Sequence, residues 1–205
     1  MIKIEEKQNL HTHTIYCDGE NSPEEMVLSA LSKDFTSIGF LTHAFMSYAP
    51  IFAQKGDHTE ECKRAVMQLK EKYKKQIKIY LGLEVDMYSN PDLSGYDYLI
   101  GAVHYLKCED EYVGFGRFDI IGHYDLITKQ CEIKEFFDME SKEYINAALE
   151  AAEALSGKNP FFEINTGAMA RGYRTAPSCD FMSKMEQASC QISIESAWLN
   201  LSKNL

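Results

Sequence analysis

Six short apolar segments of the sequence each end at or near a histidine or a glutamate. The residues at these positions are His13, His43, Glu84, His104, His123 and Glu163. Stretches with helical periodicity separate several of the segments, and alternating strands and helices are typical of an α/β fold whose parallel sheet is covered by helices. In a barrel of parallel strands, the carboxyl ends of the strands meet at one mouth. We therefore expect these side chains to converge on one site.

Seven strands and four helices are predicted along the chain. The first helix begins near Ser22, Pro23 and Glu25, which have the spacing of an N-cap, a first-turn proline and the glutamate of a capping box. A second helix is predicted over about 59–76, where apolar residues recur at helical spacing among Lys and Glu. Further helices are predicted around 144–155 and 181–188. The predicted strands are 7–13, 37–41, 78–85, 98–103, 118–122, 161–165 and 191–195.

Two of the strand ends carry residue types that bind metals. His11 and His13 lie two residues apart, so a strand presents both on the same face as a chelating pair. Taken alone, two such histidines can equally be hydrogen-bonded core or surface residues. Glu84 follows the apolar run 79–83, where a buried carboxylate is unfavourable unless it is paired or binds a cation. No Lys or Arg adjoins it in sequence, which favours a metal. His58 lies in a polar segment and is interpreted as a surface residue.

Composition narrows the class of protein. The chain has 205 residues, 45% hydrophobic and 25% charged, which are the size and balance of one globular domain. Its formal net charge of -10 argues against a nucleic-acid partner, because proteins that bind nucleic acid carry basic surfaces. The six cysteines form no Cys-x-x-Cys pair, and no signal peptide or long apolar segment is evident. We therefore expect a reduced, cytoplasmic protein with no membrane segment; the oligomeric state is left open.

A set of short motifs runs through nearly the whole chain. The motifs are His11-Thr12-His13 with Cys17-Asp18-Gly19, Leu41-Thr42-His43, Gly82-Leu83-Glu84-Val85-Asp86, Gly101-Ala102-Val103-His104-Tyr105, Phe118-Asp119-Ile120-Ile121-Gly122-His123-Tyr124-Asp125-Leu126 and Phe162-Glu163-Ile164-Asn165-Thr166-Gly167. In combination they resemble the polymerase-and-histidinol-phosphatase (PHP) family, and within it the monofunctional histidinol-phosphate phosphatases. The resemblance implies a single domain over 1–205, folded as a distorted seven-stranded (β/α)7 TIM-like barrel.

The resemblance also implies a metal centre with two to three divalent ions, typically zinc, iron or manganese. The implied ligands are His11, His13 and Glu84 for one ion, Glu84, His104 and His123 for a second, and Asp18 and His43 for a third. Imidazoles and carboxylates suit these metals, and clustered metals lower the pKa of a bridging water while holding phosphoryl oxygens. Four of these residues, Glu84, His104, His123 and Asp18, are implied to act at the reacting centre.

The reaction implied by the resemblance is hydrolysis of a phosphate monoester through attack by a metal-bridging hydroxide. The favoured substrate is L-histidinol phosphate, which would give L-histidinol in histidine biosynthesis. Arg171 and Arg174 follow the sixth predicted strand and are candidate phosphate ligands, because a guanidinium group binds phosphate in a bidentate manner. The alternative for both arginines is a solvated loop.

The end of the sequence departs from the family pattern. Members of the family end the last strand with an Asp-x-His pair of metal ligands, but Ala197 and Leu199 stand at the corresponding positions here. Neither side chain binds a metal, and the closing helix usual in the family has no counterpart. We therefore expect a chain that lacks the family's C-terminal end, with two metals bound at reduced affinity and the third weak or absent. A catalytically impaired relative that binds metal or phosphate is the alternative function. An amidohydrolase-type enzyme is disfavoured, because its bridging lysine and terminal aspartate have no obvious counterparts.

Overall fold

The structure, a computed structural model, describes residues 7–45, 58–86, 88–104, 118–131, 134–156, 161–165 and 191–195. The fold is of the α/β class, with one parallel sheet whose strands are hydrogen-bonded in sequence order. The strands are β1 Gln8–Thr12, β2 Ser37–His43, β3 Lys78–Asp86, β4 Tyr98–Ala102, β5 Ile120–Ile121, β6 Phe161–Asn165 and β7 Gln191–Glu195. The backbone of β7 also lies near that of β1, so the sheet is curled. The predicted α/β class, with a parallel sheet and helices, is thus confirmed.

Four helices lie between these strands in the described part of the chain: α1 Pro23–Ser32, α2 His58–Tyr73, α3 Thr128–Cys131 and α4 Lys142–Ser156. The capping box at the start of α1 is confirmed. Ser22 Oγ accepts from the backbone N–H of Glu25, and the Glu25 carboxylate accepts from the backbone N–H of Ser22. None of the described helices is long and apolar enough to cross a bilayer.

Several element boundaries differ from the sequence prediction. β3 continues to Asp86, so Glu84 lies inside the strand rather than at its end. β5 has only two residues instead of the predicted 118–122, because it pairs with its neighbours only at Ile120 and Ile121. The short helix α3 was not predicted, and its four residues are too few for a periodic pattern. The helix predicted around 181–188 lies outside the described residues.

The two faces of the sheet carry separate parts of the core. One face packs against α1 and α2, which contribute Met26, Val27, Cys62 and Val66 against Ile38, Phe40, Ile79 and Leu81. The other face carries a cluster of Leu10, Leu41, Tyr98, Ile100 and Ile120. Since side chains alternate along a strand, Leu41 shares this second face with His43. The second cluster therefore lies on the same face of the sheet as His43.

The ring of Tyr98 fills space that two glycines leave open. A Cβ atom at Gly39 would lie 2.2 Å from the Tyr98 hydroxyl oxygen, and one at Gly82 would lie 2.3 Å from Tyr98 Cζ. The hydroxyl donates a hydrogen bond to the carbonyl of Leu10 on β1. Because Gly82 and Glu84 lie two residues apart on one strand, they share a face of the sheet. The tyrosine thus packs the sheet face next to Glu84.

Strand β1 contains an irregularity beside its histidines. Its register against β2 shifts by one residue between Asn9 and Thr12, and the backbone N–H of His11 donates to Asn9 Oδ1 at 2.9 Å. Such a bulge redirects side chains. Leu10 therefore packs in the core while its neighbour His11 points towards Glu84.

Candidate metal centre

The carboxylate of Glu84 lies at the centre of a group of histidines. Its side chain is fully buried, and β3 places it beside His43 of β2 in direct register. Oε1 lies 3.0 Å from His123 Nε2 and 3.1 Å from His104 Nε2. Oε2 lies 3.1 Å from His43 Nδ1, 3.2 Å from His13 Nε2 and 3.6 Å from His11 Nε2. One carboxylate therefore faces five imidazoles that come from separate parts of the chain.

Asp18 extends the group on one side. Its Oδ1 atom lies 3.3 Å from His13 Nδ1 and 3.4 Å from His43 Nε2. The chain reaches this position through a tight loop in which the backbone N–H groups of Cys17 and Gly19 both donate to the carbonyl of Thr14. A Cβ atom at residue 19 would lie 2.5 Å from the backbone of His13, so the loop requires glycine there. This close return places Asp18 beside the two histidines.

The carboxylates and imidazoles shift one another's pKa values. Burial lowers the pKa of His11, but the carboxylates of Glu163 and Glu84 outweigh burial and hold that pKa well above its usual value. Burial also opposes protonation of His13, yet hydrogen bonds with Cys17 and Glu84 raise its pKa to about 10. For Glu84, burial raises the pKa, but the surrounding imidazoles outweigh it and hold the pKa well below its usual value. The cluster therefore strongly favours an ionised Glu84.

The same balance acts at the edges of the cluster. Burial lowers the pKa of His104, but hydrogen bonds with Asp86 and Glu84 raise it to about 9. Burial raises the pKa of Asp18, while His43 and His13 hold it well below its usual value. Each negative charge in the cluster is thus stabilised by a neighbouring positive charge, and a bound cation supplies the same stabilisation.

The donor atoms fit divalent transition metals. Three sets of side chains each bring one ligand atom per residue within 4.8 Å of one another: His11, Glu84 and His123; His13, Asp18 and His43; and His43, Glu84 and His104. Glu84 Oε2 is buried, and three ring nitrogens lie within 3.6 Å of it. A buried oxygen that faces ring nitrogens in this way suits a shared cation.

The structure brings together all seven of the metal ligands that the resemblance implies. His11 and His13 both lie beside Glu84 Oε2, at 3.6 and 3.2 Å, and His13 also lies with Asp18 and His43. The resemblance assigns His11 and His13 to one ion with Glu84, His104 and His123 to a second with Glu84, and Asp18 and His43 to a third. Which ion each side chain binds stays a prediction.

Other candidate residues lie away from this cluster or outside the described residues. His58 is exposed at the start of α2 and pairs with Glu61 at 2.8 Å, in agreement with its interpretation as a surface residue. Arg171, Arg174, Ala197 and Leu199 all fall outside the described residues. Their predicted roles stay predictions.

Two carboxylates next to these histidines were not assigned as metal ligands from the sequence, although Glu163 was expected to converge on the same site. Glu163 Oε1 lies 2.9 Å from His11 Nδ1, and Asp86 Oδ2 lies 3.2 Å from His104 Nδ1. Both are buried polar residues on strands. The signal for Asp86 was its place two residues after Glu84, which puts both on one sheet face. The signal for Glu163 was its place near the end of a predicted strand, which had included it among the residues expected to converge.

The chain is similar to a known domain family and to known structures. A family model for the PHP domain matches residues 9–167. Among curated protein sequences, none matches the chain. A solved structure from Listeria monocytogenes, assigned as the histidinol phosphatase hisK, superposes with a TM-score of 0.72 at 17% identity, covering 96% of this chain and 98% of that one.

A second solved structure gives a similar superposition. It is the histidinol phosphate phosphatase of Lactococcus lactis subsp. lactis in complex with zinc, L-histidinol and phosphate. The TM-score is 0.66 at 19% identity, covering 93% of this chain and 86% of that one. At such identities, both likenesses show a shared fold.

Proposed function

Because this chain belongs to the PHP domain family, we propose that it is a metal-dependent phosphatase that hydrolyses phosphate monoesters. The observation that carries the proposal is the buried Glu84 carboxylate, with five imidazole nitrogens within 3.6 Å of its two oxygens. Imidazole and carboxylate ligands gathered in this way are typical of zinc, iron and manganese sites. The proposal includes a single PHP domain over 1–205 and a seven-stranded distorted barrel.

The residues around Glu84 would hold two to three divalent ions. His11, His13, His43, Glu84, His104, His123 and Asp18 are the proposed ligands. When bound, such ions supply a water-derived nucleophile at neutral pH and neutralise charge on a phosphoryl group. Glu84 would contribute to more than one of these sites, because its Oε1 and Oε2 atoms face different histidines. Arg171 and Arg174 are proposed to bind the phosphate, because their guanidinium groups match its geometry.

L-histidinol phosphate is the proposed substrate. Two points support it: the motifs resemble those of the monofunctional histidinol-phosphate phosphatases, and the Lactococcus structure, which shares the fold, holds L-histidinol and phosphate. The test is turnover of L-histidinol phosphate against a generic aryl phosphate by protein loaded with zinc or manganese. We expect metal-dependent release of phosphate, with a higher kcat/KM for L-histidinol phosphate. Equal kcat/KM for both esters would overturn the substrate assignment, and release of phosphate from neither would overturn the enzyme assignment.

A catalytically impaired relative that binds metal or a phosphorylated ligand is the second candidate. The specific observation that favours it is the sequence at the last strand, where Ala197 and Leu199 stand in place of an Asp-x-His pair. The two candidates differ in one measurement. An impaired relative binds zinc and inorganic phosphate, but releases no phosphate from either ester at saturating manganese.

A further inference from the structure

We propose that Glu163 and Asp86 are positioning residues that determine which ring nitrogen of His11 and His104 faces the metal centre. The inference rests on the proposed function, because it presumes that these two imidazoles bind metal. It gives a role to two carboxylates that contact proposed metal ligands but are not themselves proposed as ligands.

Glu163 joins two separate parts of the cluster. Its Oε1 atom lies 2.9 Å from His11 Nδ1, and its Oε2 atom accepts a hydrogen bond of 2.8 Å from the backbone N–H of His123. The side chain is 2% exposed, so it has little access to solvent. Oε1 therefore faces the ring of His11 on β1 and also accepts a hydrogen bond of 3.4 Å from Asn165 Nδ2, while Oε2 accepts from the backbone after β5.

The backbone that Glu163 holds is unusual. His123 has a φ of +25°, a region that residues other than glycine rarely adopt. A Cβ atom at the preceding Gly122 would lie 2.8 Å from Ile100 Cγ2 and 3.4 Å from Glu163 Oε2, so the absence of a side chain there makes room for the contact. The hydrogen bond from His123 to Glu163 offsets part of the strain of this conformation. Glu163 thereby holds the backbone from which the His123 imidazole projects.

Asp86 holds His104 in a related way. Its Oδ2 atom accepts a hydrogen bond of 2.9 Å from the backbone N–H of His104 and lies 3.2 Å from Nδ1 of the same residue. The opposite ring nitrogen, Nε2, lies 3.1 Å from Glu84 Oε1. One carboxylate therefore sets both the position of the residue and the direction of its ring.

The two histidines share one pattern. In His11, Nδ1 faces Glu163 and Nε2 faces Glu84. In His104, Nδ1 faces Asp86 and Nε2 faces Glu84. A carboxylate at Nδ1 keeps a proton on that nitrogen, which leaves the lone pair of Nε2 free for a metal. Loss of the carboxylate removes this bias, and the ring can then rotate or bind through the other nitrogen.

The substitution Glu163→Gln tests the inference with almost no change in shape. Its amide is uncharged, with one acceptor oxygen and one donor nitrogen, so it cannot present an oxygen to both the His11 ring and the backbone N–H of His123. We expect Glu163→Gln and Asp86→Asn each to bind zinc about 10- to 100-fold more weakly than wild type, measured by competition with a chromophoric chelator. The matched control is Glu61→Gln, which removes a carboxylate from Nδ1 of the exposed His58 and should leave zinc affinity unchanged.

A second measurement separates positioning from a merely structural role. Nitrogen-15 NMR of histidine-labelled, zinc-loaded protein reports which ring nitrogen binds the metal. We expect Nε2 ligation with a retained Nδ1 proton at His11 and His104 in wild type, and loss of this pattern at His11 in Glu163→Gln. Circular dichroism establishes that each variant is folded.

The outcomes distinguish this inference from the proposed function. Wild-type protein that binds no zinc would overturn the proposed function itself. Wild-type protein that binds zinc, with both variants within about threefold of its affinity and with unchanged ligating nitrogens, would overturn only the inference. If Glu163→Gln does not fold, Asp86→Asn and the wild-type spectrum decide, because ligation through Nδ1 at His11 or His104 contradicts the proposal.

Discussion

Glu84 combines complete burial with contacts to five imidazoles, and no other described residue has both properties. A carboxylate taken out of water is unfavourable unless positive charge compensates it. Here the compensation comes from protonated histidines, and in the proposed function metal ions held by the neutral imidazoles would take over this role. Because Glu84 faces histidines through both oxygens, its charge stabilises both halves of the cluster.

Replacement of Glu84 by glutamine tests the role of the carboxylate at the centre of the cluster. The amide has no negative charge and only one acceptor oxygen. We expect Glu84→Gln to weaken zinc binding by more than about 100-fold. Mutation of a residue that only hydrogen-bonds to a metal ligand already lowers metal affinity about 10- to 100-fold. Phosphatase activity should fall to background. Equilibrium zinc titration and turnover of L-histidinol phosphate check this prediction.

His58→Ala is the matched control, because His58 pairs with a carboxylate at an exposed position. We expect its zinc affinity and turnover to equal those of wild type. Equal zinc binding by Glu84→Gln and His58→Ala would contradict the assignment of Glu84 as a shared ligand.

At the scale of elements, strands β2, β3 and β4 fit together around one aromatic ring. Tyr98 of β4 lies over Gly39 of β2 and Gly82 of β3, and its hydroxyl reaches the carbonyl of Leu10 on β1. The packing beside Glu84 therefore depends on two positions without side chains. A methyl group at either position meets the ring at a distance that real structures do not tolerate.

We expect Gly82→Ala to destabilise the fold by about 1–3 kcal/mol, the usual range for overpacking a close-packed core. Denaturation by urea, followed by circular dichroism, measures this loss in the free energy of unfolding. A double-mutant cycle with Tyr98→Leu provides the control. If the ring is the cause, the loss from Gly82→Ala should shrink when Leu replaces Tyr98. An undiminished loss would contradict the steric explanation.

The start of α1 gives a separate prediction at this scale. Ser22 and Glu25 satisfy each other's backbone N–H groups, and the helix they begin packs Met26 and Val27 against the sheet. We expect Ser22→Ala to lower the free energy of unfolding by about 0.5–2 kcal/mol through loss of the cap. Ser32→Ala, at the exposed end of the same helix, should change it by less than about 0.5 kcal/mol. Similar losses in both variants, measured by urea denaturation, would contradict a role for the cap.

At the scale of the whole molecule, the sheet order and the convergence of side chains follow from patterns local in sequence. Apolar runs ending at His43 and Glu84, separated by amphipathic helices, are sufficient to predict neighbouring parallel strands with both residues at one edge. The β1 bulge is different, because it depends on how β1 pairs with β2 and leaves no mark in periodicity. The contact from Glu163 to the backbone of His123 joins residues 40 positions apart. Such contacts arise only when the strands are assembled.

The proposed metal centre forms only when separate parts of the chain come together in the fold. Its ligands come from β1, β2 and β3 and from the segments after β1, β4 and β5. A metal that binds only this assembled arrangement stabilises the folded state relative to the unfolded chain. Metal binding therefore requires both the folded chain and the Glu84 carboxylate.

The most direct measurement is the transition-metal content of full-length protein purified without chelators, determined by inductively coupled plasma mass spectrometry. The proposed metal centre predicts about two ions per chain in wild type, because the ligands shared through Glu84 form a pair of sites. It also predicts a clear loss of metal in Glu84→Gln. Fewer than about one ion per wild-type chain, after incubation with zinc or manganese and removal of the excess, would contradict the proposed metal centre.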